Sequence, residues 1–461
     1  MGNTLDQITN YCQEHGVSSV LIGLTDLDGV IRGKCIDLAK FKDLVVSTGG
    51  ICDCIFGWDI DDHLYDFESV GASFDTPFTG WHTGFPDLKY RIVSSSARVL
   101  SGSGMPFFIG ELASADGSNY HPLCPRSILR QVIDGLGQDN THTAAGFEYE
   151  FFVIDEPPHA LRERNYHGLE SIQKGRFGYS LLRAAEHSQQ LTDLVAYLRG
   201  LDISVEGLHY EADPGTWEAA LTKRCLLDAA DAASLFKTFV KSYFQERNGL
   251  ATFMAKWSMN FPGQSGHFHF SLQDSNNTEL LLMQDGELNE LGRYALGGLV
   301  KYVPDWLPMF APNVNSFTRL DKGAWAPIGA CWGYDNRTCA FRVIQGEDSA
   351  FHIENRIPAA DSNPYLVAAA TLAAVKLGID RKIEPPSPIA GDAYKDASVR
   401  TYGRFTPTLR EAANRMAAST SAKDVFGREF VEHFAASRIW ESREAERNVN
   451  DWQLKRYFEA I

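Results

Sequence analysis

Basic residues are the scarce charge in this 461-residue chain: 43 Lys and Arg stand against 59 Asp and Glu, a net charge of −16. A nucleic-acid binder normally carries a basic patch, so this balance argues against that class. It would attract cationic substrates such as amines, and solubility accounts for it equally well. Cysteine is sparse and scattered, at 12, 35, 52, 54, 124, 225, 331 and 339, with no CxxC pair. That pattern indicates no disulfide framework, and Cys52-Asp-Cys54 reads as packing within an apolar strand over 51–56. No uninterrupted apolar run is long enough to span a bilayer. The N-terminus lacks the basic-then-apolar pattern of a signal, and Asp6 stands where myristoylation prefers Ser or Thr. A cytoplasmic enzyme with no membrane partner is the expectation. Internal repeats and low-complexity segments are absent too.

What is present is ordinary globular composition, 44% hydrophobic and 22% charged, in a length sufficient for two or three domains. Residues 3–16 have helical spacing and end at Gly16. Two strands flank Asp28-Gly29, a hairpin signal. Further strands are expected at 51–56, 89–93, 97–101 and 105–112, and Ser101-Gly-Ser-Gly104 reads as a hairpin turn, since no Lys-Ser/Thr follows it. A long aromatic loop runs from Trp58 to Asp87. Together, residues 1–122 read as a small β-rich domain and residues 123–461 as a large one. In the latter, helices are expected from Pro125, over 179–200, 225–248 and 288–303, after Asn363, from the capping-box spacing of Thr408 and Glu411, and near 440–460 as a charged, solvated or intersubunit element. Strands alternating with paired helices fit an α+β fold.

Five stretches of the large domain carry charge on alternate residues. In Gly146-Phe-Glu-Tyr-Glu-Phe-Phe-Val153, an extended chain puts Glu148 and Glu150 on one face with Phe147, Tyr149 and Phe151 behind. Val205-Glu-Gly-Leu-His-Tyr-Glu211 pairs His209 with Glu211, turns through Asp213-Pro-Gly215 and returns to Glu218. His267-Phe-His-Phe-Ser271 alternates His267, His269 and Ser271 against aromatics. Asn336-Arg-Thr-Cys-Ala-Phe-Arg342 carries two arginines, and Phe351-His-Ile-Glu-Asn-Arg-Ile357 aligns His352, Glu354 and Arg356. So many acids on one face would repel one another, and bound cations are the natural remedy. Mostly oxygen donors with one imidazole favour Mg²⁺ or Mn²⁺ over zinc. Arginines at 319, 337, 342 and 356 offer forked donors for phosphate and carboxylate, which suggests phosphoryl transfer.

These stretches resemble the catalytic barrel of the glutamine synthetase family, and the resemblance runs through most of the chain. It implies a β-grasp-like N-terminal domain followed by an antiparallel, barrel-like sheet surrounded by helices. It implies ATP-dependent joining of an amine to glutamate through γ-glutamyl phosphate, and stacked hexameric rings whose active sites lie between subunits. Position by position, Glu150, Glu211 and Glu218 resemble the ligands of one metal, and Glu148, His267 and Glu354 those of another. Glu206, His209, His269 and Ser271 match nucleotide contacts, and Arg337 and Arg342 phosphate contacts. Glu150, Gly263, Arg319 and Arg356 match the glutamate site, with Arg319 and Arg337 as catalytic candidates. Tyr179 resembles the tyrosine beside the ammonium pocket, and Asp59 is the nearest match to a second ammonium contact from the small domain. His352 reads as a structural histidine and Asp361 as a helix cap.

The pattern departs from that family in Leu320-Asp-Lys-Gly-Ala-Trp-Ala-Pro327. Where a glutamate closes this loop and accepts the ammonium proton, Trp325 stands. An indole takes no proton but offers an organic amine a packing wall. Pro262-Gly-Gln-Ser-Gly266 and Thr216-Trp-Glu218 also replace the family's usual residues at the glutamate end. The whole resembles the γ-glutamylamide ligase branch, which conjugates alkylamines, polyamines or aromatic amines. An ordinary glutamine synthetase and a non-catalytic structural relative are the alternatives.

Overall fold

Two sheets carry the fold in the computed structural model, which describes residues 2–459 apart from 67, 71–75, 77, 115, 118, 137–140, 285, 324 and 347–349. The first contains β1 (Ser19–Thr25), β2 (Ile31–Asp37), β3 (Gly49–Cys52), β4 (Asp87–Ile92), β5 (Arg98–Val99) and β6 (Pro106–Ala113). Their order is β2-β1-β6-β4-β3, with β5 beside β6. β1 and β2 are the expected antiparallel hairpin, whereas β1 and β6 run parallel. The Asp26 carboxylate shapes the hairpin by accepting from the amides of Asp28 (3.0 Å) and Val30 (2.9 Å), and Gly29 supplies the left-handed turn at φ +80°. The helix Leu38–Val45 covers this mixed sheet with Phe41 and Leu44, and Phe41 meets Phe108 at 4.8 Å. That is a β-grasp-like layer.

Two expected strands are shorter than their patterns. β3 stops at Cys52, where its thiol caps a 3-10 turn over Asp53–Phe56, and only Arg98 and Val99 of 97–101 pair with a neighbour. Ser101–Gly104 forms the hairpin turn between β5 and β6, closed by Leu100 N to Met105 O at 2.9 Å. The 58–87 loop is tied to the C-terminal helix Arg428–Arg447. Trp440 Nε1 donates to Asp59 at 3.1 Å, and His433 bonds Thr76 and the Phe56 carbonyl.

The second sheet contains β7 (His142–Ile154), β8 (Val205–Tyr210), β9 (Thr216–Leu221), β10 (Arg224–Cys225), β11 (Leu250–Thr252) and β12 (Gly266–Gln273). A separate hairpin of β13 (Met283–Gln284) and β14 (Glu287–Leu288) follows, and then β15 (Trp332–Tyr334), β16 (Phe341–Ile344) and β17 (His352–Asn355) complete the second sheet. The order β15-β16-β17-β12-β7-β9-β8 makes a nearly closed, barrel-like sheet, antiparallel except for the parallel pair β15–β16. Phe147, Tyr149 and Phe151 of β7 are no more than 1% exposed, and Tyr149 lies against Phe236 of the helix Leu226–Gln245. Burying rings on one face of a strand obliges the alternate residues to point to the other, so the core fixes where the glutamates go.

The helices depart from expectation at three places. The segment 179–200 is two helices, Leu181–Glu186 and Ser188–Gly200, separated at His187. The charged C-terminus is also two, Arg428–Arg447 and Asp451–Tyr457, and the first buries Phe430, Val431, Phe434 and Trp440. Asn448 ends the first, and Asn450 caps the second through a capping box with Gln453. Asp361 is not the cap of the helix Pro364–Asp380, because Asn363 accepts from the Tyr365 amide in that role. Asp361 instead accepts from Asn313 (3.0 Å) and Ser316 (2.8 Å).

Candidate active site

Strand register assembles the site. Directly opposed residues of neighbouring strands share a face, and the pairs here are His267 with Glu148, His269 with Glu354, Arg342 with Glu354, Glu150 with Glu218, and His209 with Glu218. The stretches picked out by alternation therefore form one continuous row across β16, β17, β12, β7, β9 and β8. The row floors a cavity of about 520 Å³ that also takes in Tyr179, Gly263, Arg319, Trp325, Arg337 and Arg356.

At one end His267 Nδ1 lies 3.1 Å from Glu148 and 3.2 Å from Glu354. Glu354 is 1% exposed and also receives Arg342 (3.1 Å) and Arg356. Burial pushes the Glu354 carboxyl up, but the charges of Arg356 and Arg342 beside it hold it well below the usual range. Burial lowers His267 to about 4, so its ring is neutral and has a lone pair to offer. In the middle, Glu150 accepts from the Ser265 amide at 2.6 Å. Further along, His209 Nε2 lies 3.0 Å from Glu211 and 3.3 Å from Glu218. Glu218 is pushed up to about 10 by burial, then by the charges of Glu148, Glu150, Glu211 and Glu354. A carboxyl so placed holds its proton at neutral pH unless a cation replaces it.

Two groups of donor atoms are close enough to hold such a cation: Glu148, His269 and Glu354, and His209, Glu211 and Glu218, each set within 4.8 Å. Oxygen-rich sets with imidazole fit a hard divalent ion. These groups add imidazoles to the expected sets, since His267 also touches both Glu148 and Glu354. His209 and His269, expected to touch nucleotide, stand among the acids, and Glu150 lies between the groups with one oxygen already bonded to backbone.

Arginines border the row. Arg319 is fully buried, donating to the carbonyls of Ile357 (2.9 Å) and Arg356 (3.2 Å). It lies against Gly263, where an added Cβ would come within 2.5 Å of Arg319 Cγ and 2.7 Å of the Ala255 carbonyl; only glycine fits. Arg337 sits on the turn before β16, not on a strand, and is exposed with no hydrogen bond or ion pair among the described residues. Tyr179 stacks on His209 at 4.5 Å, and burial together with Glu211 pushes its phenol up. Trp325 is 61% exposed at φ +58°, and its carbonyl meets Arg356 at 3.5 Å.

Glu206 and Ser271 line an adjoining cavity of about 420 Å³ that shares Glu148 and His269 with the first and also contains His352. His352 bonds the Ala350 carbonyl at 2.7 Å, as a structural histidine would, and also borders that cavity. Asp59 is not brought to either cavity of its own chain: one oxygen accepts from the amides of Asp61 and His63, and the other from Trp440. Sequence reasoning passed over Asp213, which lines the cavity from the turn between β8 and β9, and Asp335, which anchors Arg342 at 2.9 Å. The signal for Asp213 was present: a third acid in the same turn as Glu211.

Comparison with known proteins agrees with the geometry. Residues 122–457 match the glutamine synthetase catalytic domain. The chain is 36% identical to a type-1 glutamine synthetase 2 of Dictyostelium discoideum, covering 100% of this chain and 87% of the relative. It is 33% identical to a glutamate–isopropylamine ligase of Pseudomonas sp, over 99% and 98%. A solved GmaS/ADP complex superposes with a TM-score of 0.82 at 22% identity over 97% and 98%, a likeness of fold. Fold, site and relatives together define a ligase. The chain belongs to the glutamine synthetase family.

Proposed function

We propose that this protein is an ATP-dependent ligase that joins L-glutamate to an organic amine as a γ-glutamylamide. One observation carries the choice of acceptor: the acid–imidazole row is complete, yet the loop at the cavity edge presents Trp325 where an ammonium-using site needs a carboxylate. The loop's one acid, Asp321, lines a different cavity.

A carboxylate is not attacked by an amine because oxide is too poor a leaving group. In the proposed reaction a γ-carboxylate oxygen of glutamate displaces ADP from the γ-phosphorus of ATP. The amine nitrogen then attacks the acyl phosphate carbon, phosphate leaves with the C–O electrons, and the nitrogen loses a proton. Mg²⁺ or Mn²⁺ held by Glu150, Glu211 and Glu218 and by Glu148, His267 and Glu354, with His209 and His269 alongside, would neutralise the phosphate oxygens. Arg319 and Arg356, pinned by carbonyls and by Glu354, would grip the glutamate carboxylates beside Gly263. Arg337, with no hydrogen bond or ion pair among the described residues, would follow the charge on the transferring phosphoryl group. Glu206 and Ser271 would contact nucleotide in the adjoining cavity. Trp325 and Tyr179 would wall the amine site, where an apolar surface excludes water and packs on carbon. The same family likeness supports a homo-oligomer of stacked hexameric rings and a cytoplasmic enzyme; no helix among the described residues is long and apolar enough to cross a membrane.

The second reading, ammonium as acceptor, is favoured by the 36% identity to a type-1 glutamine synthetase. Phosphate release with glutamate, ATP and Mg²⁺ decides between them. Strong dependence on one of methyl-, isopropyl-, ethanol-, poly- or arylamine, with ammonium near background, supports the amide ligase. Ammonium as best acceptor overturns it. Silence with every acceptor would point to the non-catalytic relative, against which the complete donor row argues.

A further inference from the structure

The carboxylates of the cavity share one property with a single exception. Glu148 and Glu354 meet His267, Glu150 meets the Ser265 amide, and Glu211 and Glu218 meet His209. Asp213 meets nothing: it is 9% exposed, lines the cavity, and its carboxylate has no hydrogen bond or ion pair among the described residues. Neither group of metal-holding donors includes it. Arg176 and Lys256 act on it only at longer range. Arg176 is engaged with the Asn260 carbonyl and the Phe261 ring, and the Lys256 backbone is pinned on both sides by Asn315.

The turn that carries this group is held firmly in place. Glu211 N bonds Thr216 O at 2.9 Å and Thr216 N bonds Asp213 O at 3.1 Å. Gly215, at φ +77°, is pressed so closely on Ser171 and Phe152 that a Cβ there would lie 2.6 and 2.7 Å from them. The Asp213 carboxylate faces the cavity and not a protein donor, so a cationic group entering that cavity would be its first direct partner.

We infer that Asp213 binds the primary ammonium group of a substrate. An ammonium brings positive charge and N–H donors, which is what the pocket lacks. Under the ligase reading, on which the choice of substrates rests, two groups qualify. One is the α-ammonium of the amino acid, whose carboxylates would lie on Arg319 and Arg356 across Gly263. The other is the ammonium of the acceptor amine, entering along Tyr179.

The test uses the full-length enzyme with Asp213→Asn and Asp213→Glu, and Asp213→Ala should the amide variant fail to fold. Once wild-type turnover is shown, KM is measured for glutamate, the amine and Mg²⁺ separately. Absence of wild-type turnover would defeat the ligase reading instead. The expected result is a rise of about 10- to 100-fold in one of the two organic KM values, with kcat and the Mg²⁺ requirement little changed and partial recovery in Asp213→Glu. A rise for glutamate assigns the α-ammonium; a rise for the amine assigns the acceptor. Thermal shift without ATP gives an independent readout: wild type should prefer glutamate to glutarate, or the amine to the matching alcohol, and Asp213→Asn should lose that preference. Unchanged KM values for both substrates, or a change confined to Mg²⁺, would overturn the assignment.

Discussion

At the part of the cavity formed by β12, β16 and β17, Glu354 is almost wholly buried between His267 and Arg342, placed by their strands, and Arg356, which directly follows β17. At the cavity's rim, Trp325 and Tyr179 are 61% and 70% exposed, both at positive φ, and Asp213 has no hydrogen bond or ion pair among the described residues. The buried cluster is saturated before any ligand arrives, and the rim is open. Phosphoryl chemistry tolerates little variation in the geometry of its charges, and most of its proposed groups sit on paired strands whose positions the core dictates, with Arg337 on the turn that leads into one. The choice of amine varies within one family, and its groups sit on turns and loops that change without disturbing the sheet.

The sharpest way to break this contrast is to remove a residue from the saturated cluster. Glu354→Ala leaves the buried Arg356 without its counter-charge, takes one of two from Arg342 and removes a proposed ligand. We expect phosphate release to fall about 10³-fold and stability to fall by about 3–5 kcal/mol, read by turnover and urea unfolding. Loss of activity with stability intact would show that Glu354 is not the hub of that cluster. Arg337→Ala separates the two effects, since Arg337 is exposed and has no hydrogen bond or ion pair among the described residues. Its kcat should fall about 10²- to 10³-fold, while stability changes by no more than about 0.5 kcal/mol.

A pH experiment tests whether the row needs cations. Glu218 keeps its proton in the fold up to about 10, above its ordinary 4.5, so between those values the native state binds a proton that the unfolded chain has released. Stability contributed at this site therefore falls as pH rises through that window, by at most about 1.4 kcal/mol per pH unit. Wild type minus Glu218→Gln, in chelator, cancels other groups such as Lys237, which burial lowers to about 7. That difference should decline with pH in chelator and flatten when Mg²⁺ or Mn²⁺ displaces the proton. A flat difference without metal would show that the acids are relieved in another way.

The same contrast explains what was legible in the sequence. Alternation of charge with aromatic residues reports strand faces directly, so Glu148, Glu150, His267 and Glu354 could be placed on one wall from the chain alone. The partnering between strands could not, because His209, already paired with Glu211 along its own strand, joins Glu218 through a register between β8 and β9 that no local pattern specifies. Asp59 illustrates a different limit: an acid near the right place in the chain was consumed by an Asx turn and by Trp440, some 380 residues away (381 in the numbering). The break at His187 and the early end of β3 at Cys52 are local hydrogen-bond choices that outweighed periodicity. Asp213 was overlooked because an Asp-Pro-Gly sequence reads as a turn, and only burial shows that its carboxylate faces the cavity.

The smallest expected effects lie at Trp325 itself. A tryptophan in the left-handed region is strained by about 1–2 kcal/mol, an amount partly offset in Trp325→Gly by the greater freedom of the unfolded chain. That variant should therefore gain no more than about 1 kcal/mol of stability, while kcat/KM for the preferred organic amine falls about 10-fold through loss of the packing wall. Trp325→Glu restores a proton acceptor at the same backbone position and should move the ratio of ammonium to organic-amine turnover about 10-fold toward ammonium. If both variants leave that ratio untouched, the indole is only a surface residue at the cavity mouth, and discrimination between amines must come from Tyr179 and the turn that carries Asp213.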